Sequence, residues 1–101
     1  MTVLRINKFK ALPGRIEDLT TKMSEICARI RALEGCEHCE LLLKIADGDD
    51  ADDVLIVLET WTSIEAHKAA ATNIDPAEFT AVMAMLADRP SGQYYQSAEA
   101  Q

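Results

Sequence analysis

The residues best able to do chemistry are an asparagine, a histidine and a short Cys/His cluster. Asn7 stands in Thr2 to Ala11 (TVLRINKFKA), a stretch that reads as a strand. Asparagine is disfavoured within a strand, and a buried amide costs stability unless it is hydrogen-bonded. It therefore either holds an oxygen atom of a ligand or bonds a neighbouring backbone group. His67 shares one helical face with Ile64, Ala71 and Ile74. An imidazole that titrates near neutrality can accept a phenolic proton; on an apolar face it can equally be a packed core or edge residue.

Cys36-Glu37-His38-Cys39 offers three metal-ligand types. In a regular strand Cys36 and His38 share a face and Cys39 lies on the other. No second Cys/His pair completes a tetrahedral set, so no zinc site is expected. The acidic run Asp47-Gly48-Asp49-Asp50-Ala51-Asp52-Asp53 is too short for a calcium loop and lacks its distal glutamate, and it reads as a solvated hairpin tip. No phosphate loop, dinucleotide fingerprint or nucleophile elbow is present. With no cofactor or metal expected, any redox chemistry must draw on the substrate's own electrons or a diffusible partner.

These residues need elements to position them. Val54 to Leu58 is an unbroken apolar run of the kind buried on both faces of a sheet, and Glu59-Thr60-Trp61 closes it. Thr62 with Glu65 forms the pattern of a capping box for a helix over 63–72, ended by Asn73. Before this unit, Thr2 to Ala11 is a strand ended by Pro13-Gly14, with Val3, Arg5, Asn7 and Phe9 on one face and Leu4, Ile6, Lys8 and Lys10 on the other. Residues 15–34 form a helix whose apolar stripe is Ile16, Leu19, Met23, Ile26, Cys27, Ile30 and Leu33, and Gly35 is placed for a left-handed cap. Cys36 to Ile45 is a strand. After the second helix, Asp75 as N-cap with Pro76 at the first position starts another. Phe79, Val82, Met83 and Leu86 form its buried face, and Arg89-Pro90 stops it. Gly92 to Ser97 is a short last strand. Tyr94 and Tyr95 alternate along it, so one of the two faces inward. Ala98 to Gln101 is expected to fray.

The chain is 101 residues long, which suits a single domain over 1–97 with a tail at 98–101. The order strand, helix, strand, strand, broken helix, strand is a split βαβ unit used twice. It predicts an α+β, ferredoxin-like βαββαβ fold with a four-stranded antiparallel sheet. Helices cover one face. The other, with Leu4 and Ile6, is also apolar, and leaving it wet is unfavourable at roughly 25 cal/mol per Å². A homodimer through that sheet face is therefore expected. Ten basic against seventeen acidic residues give a net charge of −7, which disfavours nucleic acid and anionic membrane as partners. No apolar run reaches the length of a membrane span. The N-terminus lacks the features of a signal peptide, and three cysteines imply no disulfide framework, so a cytoplasmic location is expected.

Asn7, Pro13-Gly14, Glu34-Gly35-Cys36, the stretch Glu59-x-Trp61-x-Ser63 and Ala66 together resemble the antibiotic biosynthesis monooxygenase family over nearly the whole chain. That resemblance implies a dimeric α+β barrel, in which two ferredoxin-like sheets pair face to face. It also implies oxygenation of a quinol or polyphenol-like aromatic without metal or flavin. Asn7 would then position the oxygen species, and His67 would accept the substrate proton. Trp61, Met23, Phe79 and Met83 are most simply core; with Phe9 they could also wall a small apolar pocket for a flat ring. Family members often carry a histidine nine residues after the tryptophan, where this chain has Ala70. The haem-degrading branch places a tryptophan there and its ligand histidine nine residues further on, at Phe79 here. Haem binding through that ligand is not expected, although Asn7 matches the branch's asparagine. A non-catalytic binding protein that keeps the barrel is the remaining alternative.

Overall fold

The computed structural model describes residues 2–48 and 51–99. Its elements are β1 (Val3–Lys10), α1 (Ile16–Arg31), β2 (Cys36–Leu43), β3 (Val54–Trp61), α2 (Ile64–Ala71), α3 (Pro76–Met83) and β4 (Ser91–Tyr95). The strands lie in the order β2-β3-β1-β4, and every neighbouring pair is antiparallel. This is the α+β, ferredoxin-like arrangement.

The core forms where the apolar stripe of α1 meets the inner face of β3. Leu19, Met23, Ile26, Cys27 and Ile30 pack with Leu55, Val57, Trp61 and Cys39, all buried. Trp61 is the largest fully buried side chain, at 1% exposure. Cys27 Sγ and Cys39 Sγ meet at 2.7 Å between α1 and β2. Burial, with the Cys27 contact adding to it, pushes the Cys39 thiol well above its ordinary value.

The turn from α1 into β2 depends on Gly35. Its φ of +90° is the left-handed conformation expected there, and a Cβ would stand 2.7 Å from Ala66 Cβ on α2. Any other residue would both strain this turn and separate α2 from the sheet.

Four expectations are corrected. The N-cap of α2 is Ser63, whose Oγ accepts from the Ala66 N–H at 3.0 Å; Thr62 does not cap it. Thr62 instead donates its N–H to the Gly35 carbonyl at 2.9 Å, which keeps the chain extended for one more residue. β2 is not regular: a bulge between Cys36 and His38 sets Cys36 opposite Trp61 and Cys39 opposite Glu59. Cys36 and Cys39 therefore share the inner face, while His38 points outward, its Nε2 3.3 Å from Glu40 Oε1. Phe79 is not part of the buried face of α3, since it is 54% exposed; Val82 is the buried residue of that helix. In the single chain the Val54 to Leu58 run is fully buried on one face only, because Ile56 and Leu58 stay partly exposed on the side the helices do not cover.

The start of α3 follows expectation, with the Asp75 carboxylate accepting from the Ala77 N–H at 2.9 Å and Pro76 at the first position. Of the acidic tip, Asp49 and Asp50 lie outside the described residues, as do Ala100 and Gln101 of the tail. No group of three or more His, Cys, Asp and Glu able to hold a metal occurs among the described residues.

Candidate active site

Strand register builds the site. One row across the sheet runs Tyr94, Arg5, Glu59, Cys39, each residue directly opposite the next. The adjacent row runs Gly92, Asn7, Val57, Leu41. Directly opposite residues share a face, so β1 and β3 present Arg5, Asn7, Phe9, Glu59 and Trp61 toward the helices. There α1 contributes Met23, Ile26 and Ile30, and α2 contributes His67 and Ala70. These residues enclose a cavity of about 310 Å³, with Phe79, Val82 and the Pro90-Ser91-Gly92 segment also lining it.

Glu59 is the polar centre of this cavity. It is 4% exposed. Its Oε1 accepts from Trp61 Nε1 at 2.8 Å and its Oε2 from Asn7 Nδ2 at 3.0 Å. Burial pushes its carboxyl above the usual carboxylate range, while the Trp61 hydrogen bond, the Arg5 charge and the Asn7 hydrogen bond act in the opposite direction. Asn7 Oδ1 in turn accepts from Arg5 Nε at 3.2 Å. The Asn7 amide thus joins the only cationic and the only carboxylate side chain among the described lining residues. One Nδ2 hydrogen is committed to Glu59, and the amide has a second to offer.

His67 reaches down from α2. Its Nδ1 lies 2.6 Å from Tyr94 Oη and its Nε2 lies 3.8 Å from Glu59 Oε1. Its ring meets Trp61 and Tyr94 edge-on, with centroids 5.3 Å apart in both cases. Either tautomer satisfies Tyr94, whose hydroxyl can donate to Nδ1 or accept from it; with hydrogen on Nε2 that N–H faces the carboxylate. Burial lowers the imidazole below its ordinary value of 6.5, and the positive charges of Arg5 and Lys68 lower it further. At neutral pH it is an uncharged base at the cavity wall.

The structure brings together Asn7, His67, Phe9, Met23, Trp61 and Phe79 around one space. Met83 is placed elsewhere: it packs against the core cluster, and its neighbour Val82 lines the cavity instead. Three residues of the site were not singled out from the sequence for such a role. Glu59 is the one acid in the strand Val54–Trp61 and has the parity of Val57 and Trp61, a pattern that marks a buried carboxylate. Arg5 has the parity of Asn7. Tyr94 is chosen over Tyr95 by register alone: Tyr94 faces Arg5 and the cavity side, whereas Tyr95 pairs with Leu4 on the outer face and is 48% exposed.

A four-stranded ferredoxin-like sheet with an apolar, polar-centred cavity under its helices defines a small α+β domain. The sequence pattern of the antibiotic biosynthesis monooxygenase family matches residues 2–84, and the chain belongs to that family. Solved structures share its fold. SnoaB, a cofactor-independent oxygenase from Streptomyces nogalater, superposes with a TM-score of 0.77 at 18% identity, over 97% of this chain and 94% of that one. A conserved protein from Methanosarcina mazei Go1 gives 0.81 at 13% identity, over 95% and 92%. Rv0793 from Mycobacterium tuberculosis gives 0.76 at 19% identity, over the full length of both. A comparison with curated proteins finds no match.

Proposed function

We propose that this chain is a cofactor-independent monooxygenase of a flat, electron-rich phenol or quinol, acting as a homodimer. The observation that carries the reading is the imidazole of His67 on the wall of an apolar cavity, between the Tyr94 hydroxyl and the Glu59 carboxyl. Family membership and the fold shared with a cofactor-independent oxygenase support it. The histidine that family members often carry corresponds to Ala70 here. His67 stands one turn earlier on the same face of α2, and both residues line the cavity.

The chemistry follows from that placement. The Tyr94 hydroxyl can accept as well as donate, so His67 can carry its hydrogen on Nδ1 and turn the Nε2 lone pair toward a substrate hydroxyl. Proton transfer to Nε2 leaves an imidazolium near Glu59 and an electron-rich phenolate in the cavity. The phenolate gives one electron to dioxygen, and the resulting radical and superoxide combine at a ring carbon. Cleavage of the O–O bond leaves one oxygen on that carbon as a carbonyl. The other departs as water, with its two hydrogens taken from the ring C–H and the hydroxyl. The free Nδ2 hydrogen of Asn7 is the donor offered to the oxygen species.

The test is oxygen uptake with a panel of quinols and related polycyclic phenols, using labelled dioxygen to follow one atom into product. Comparable affinity for quinol and quinone with no turnover across the panel would instead identify a binding protein. For a substrate that is turned over, the acid limb of kcat/KM is expected below pH 6.5, because the folded protein keeps His67 uncharged to lower pH than a free histidine. His67→Leu should abolish that limb and lower kcat/KM by about 10²–10⁴. A folded His67→Leu protein with the wild-type profile would remove His67 as the base.

The homodimer rests on the uncovered sheet face. Leu4, Ile6, Ile56 and Leu58 form an apolar band there, flanked by Leu42 at 43% and Tyr95 at 48% exposure. Light scattering at micromolar concentration should report twice the chain mass, and Leu58→Glu should shift it to the single-chain value. A wild-type monomer at that concentration would end the dimer proposal.

A further inference from the structure

Arg5 makes no direct ion pair among the described residues; it reaches the Glu59 carboxyl only as a charge acting through space and through the bridging Asn7 amide. Among the described lining residues it alone carries a fixed positive charge. Glu59 lies directly opposite it on β3, yet both Glu59 oxygens are engaged by Trp61 and Asn7, and no Arg5 ion pair is formed among the described residues. Of the five guanidinium N–H groups, Nε–H is spent on Asn7 Oδ1. The guanidinium carbon lies 4.6 Å from the Tyr94 ring centroid, so the aromatic face supports the charge, and among the described residues no acceptor takes an Nη hydrogen.

The sheet makes room for this posture. A Cβ at Gly92 would stand 2.3 Å from Arg5 Nη2 and 2.5 Å from Asn7 Oδ1. Gly92 has no left-handed φ, so it is not there to relieve a turn. The missing side chain is the space that the guanidinium and the amide occupy. Asn7 from one edge, Tyr94 from below and Gly92 from the side thus hold a planar cation beside an apolar slot.

The geometry points to Arg5 as the residue that selects the substrate, by taking a planar oxyanion – a carboxylate or an ionised phenol – attached to the flat aromatic body that fills the cavity. This rests on the cavity being the substrate site of the proposed function, but not on any oxidation taking place there. A guanidinium suits such a head because its fork matches two oxygens of a carboxylate or one conjugated oxygen, and burial strengthens the charge-assisted bonds. In the proposed reaction the same contact would stabilise the phenolate formed by proton removal.

The test is binding followed through Trp61, the single tryptophan of the chain, which lines the cavity. The probes are naphthoate against methyl naphthoate, and an acidic nitrophenol ionised at neutral pH against its methyl ether. The wild type should bind at least one anion about tenfold or more tightly than its neutral partner, and which pair shows the preference tells carboxylate from phenolate. Arg5→Met should erase the preference, Arg5→Lys should retain part of it, and Gly92→Ala should weaken anion binding by displacing the guanidinium. Equal affinity for anion and neutral partner in the wild type, which requires no variant to fold, would overturn the role of Arg5 and leave the cavity reading standing. A preference that survives Arg5→Met would overturn it too. If none of the four probes perturbs Trp61, the cavity is not an aromatic-ligand site, and both readings fall.

Discussion

Trp61→Ala is expected to lower the free energy of unfolding by about 3–5 kcal/mol, the range for truncating a large buried aromatic. The ring is 1% exposed and sits where the stripe of α1 meets β3. Alanine would open a cavity at that junction and would also remove the Nε1–H that Glu59 Oε1 accepts at 2.8 Å. The carboxyl would then rise further above its ordinary range, since its first lowering contribution is gone. Against a typical total of about 5–15 kcal/mol, this is a large share of the stability. Trp61→Phe separates the two effects: it keeps an aromatic ring in place and loses only the donor, so it should cost clearly less. Urea unfolding monitored by circular dichroism measures both variants. A Trp61→Ala midpoint close to wild type would mean that the ring does not pack in the core as described.

Asn7→Ala is expected to reduce turnover of a quinol by about 10²–10³, the cost of losing one preorganised donor to a developing charge. The structure adds a second consequence. The amide bonds both Arg5 Nε and Glu59 Oε2, so alanine leaves a buried carboxylate oxygen without that donor and frees the guanidinium to move. Stability should fall by about 1–3 kcal/mol. The decisive quantity is therefore the rate per folded molecule, obtained by correcting turnover for the unfolded fraction. A folded fraction with undiminished kcat would reduce Asn7 to a brace between Arg5 and Glu59. A drop in kcat with KM unchanged would mark an interaction made chiefly in the transition state.

How much of this was legible beforehand depends on the range of the interaction. Local patterns carried the elements: the stripe of α1, the Asp75-Pro76 start of α3 and the left-handed Gly35 each follow from neighbours within a few residues. The order of elements then implied the sheet topology, because a split βαβ repeat has few ways to bury its apolar faces. Asn7 and His67 could be singled out because each is a polar residue in an apolar pattern. The bulge at Cys36 was not legible, since it arises from how β2 must meet Trp61 and Glu59 on a strand distant in sequence. Nor was the exposure of Phe79, which depends on which side of α3 the folded chain covers. The partnership of Arg5, Glu59, Tyr94 and His67 was hidden for the same reason. Its members come from β1, β3, β4 and α2, and only cross-strand register sets Arg5 opposite both Glu59 and Tyr94. Residue type and parity by themselves determined which side chains of β1 and β3 share a face, but not the face taken by Cys39 or by Tyr94. Tertiary pairing decided which of them meet, because hydrogen bonds and charge interactions act over a few ångströms, whereas these residues are separated by up to most of the chain's length.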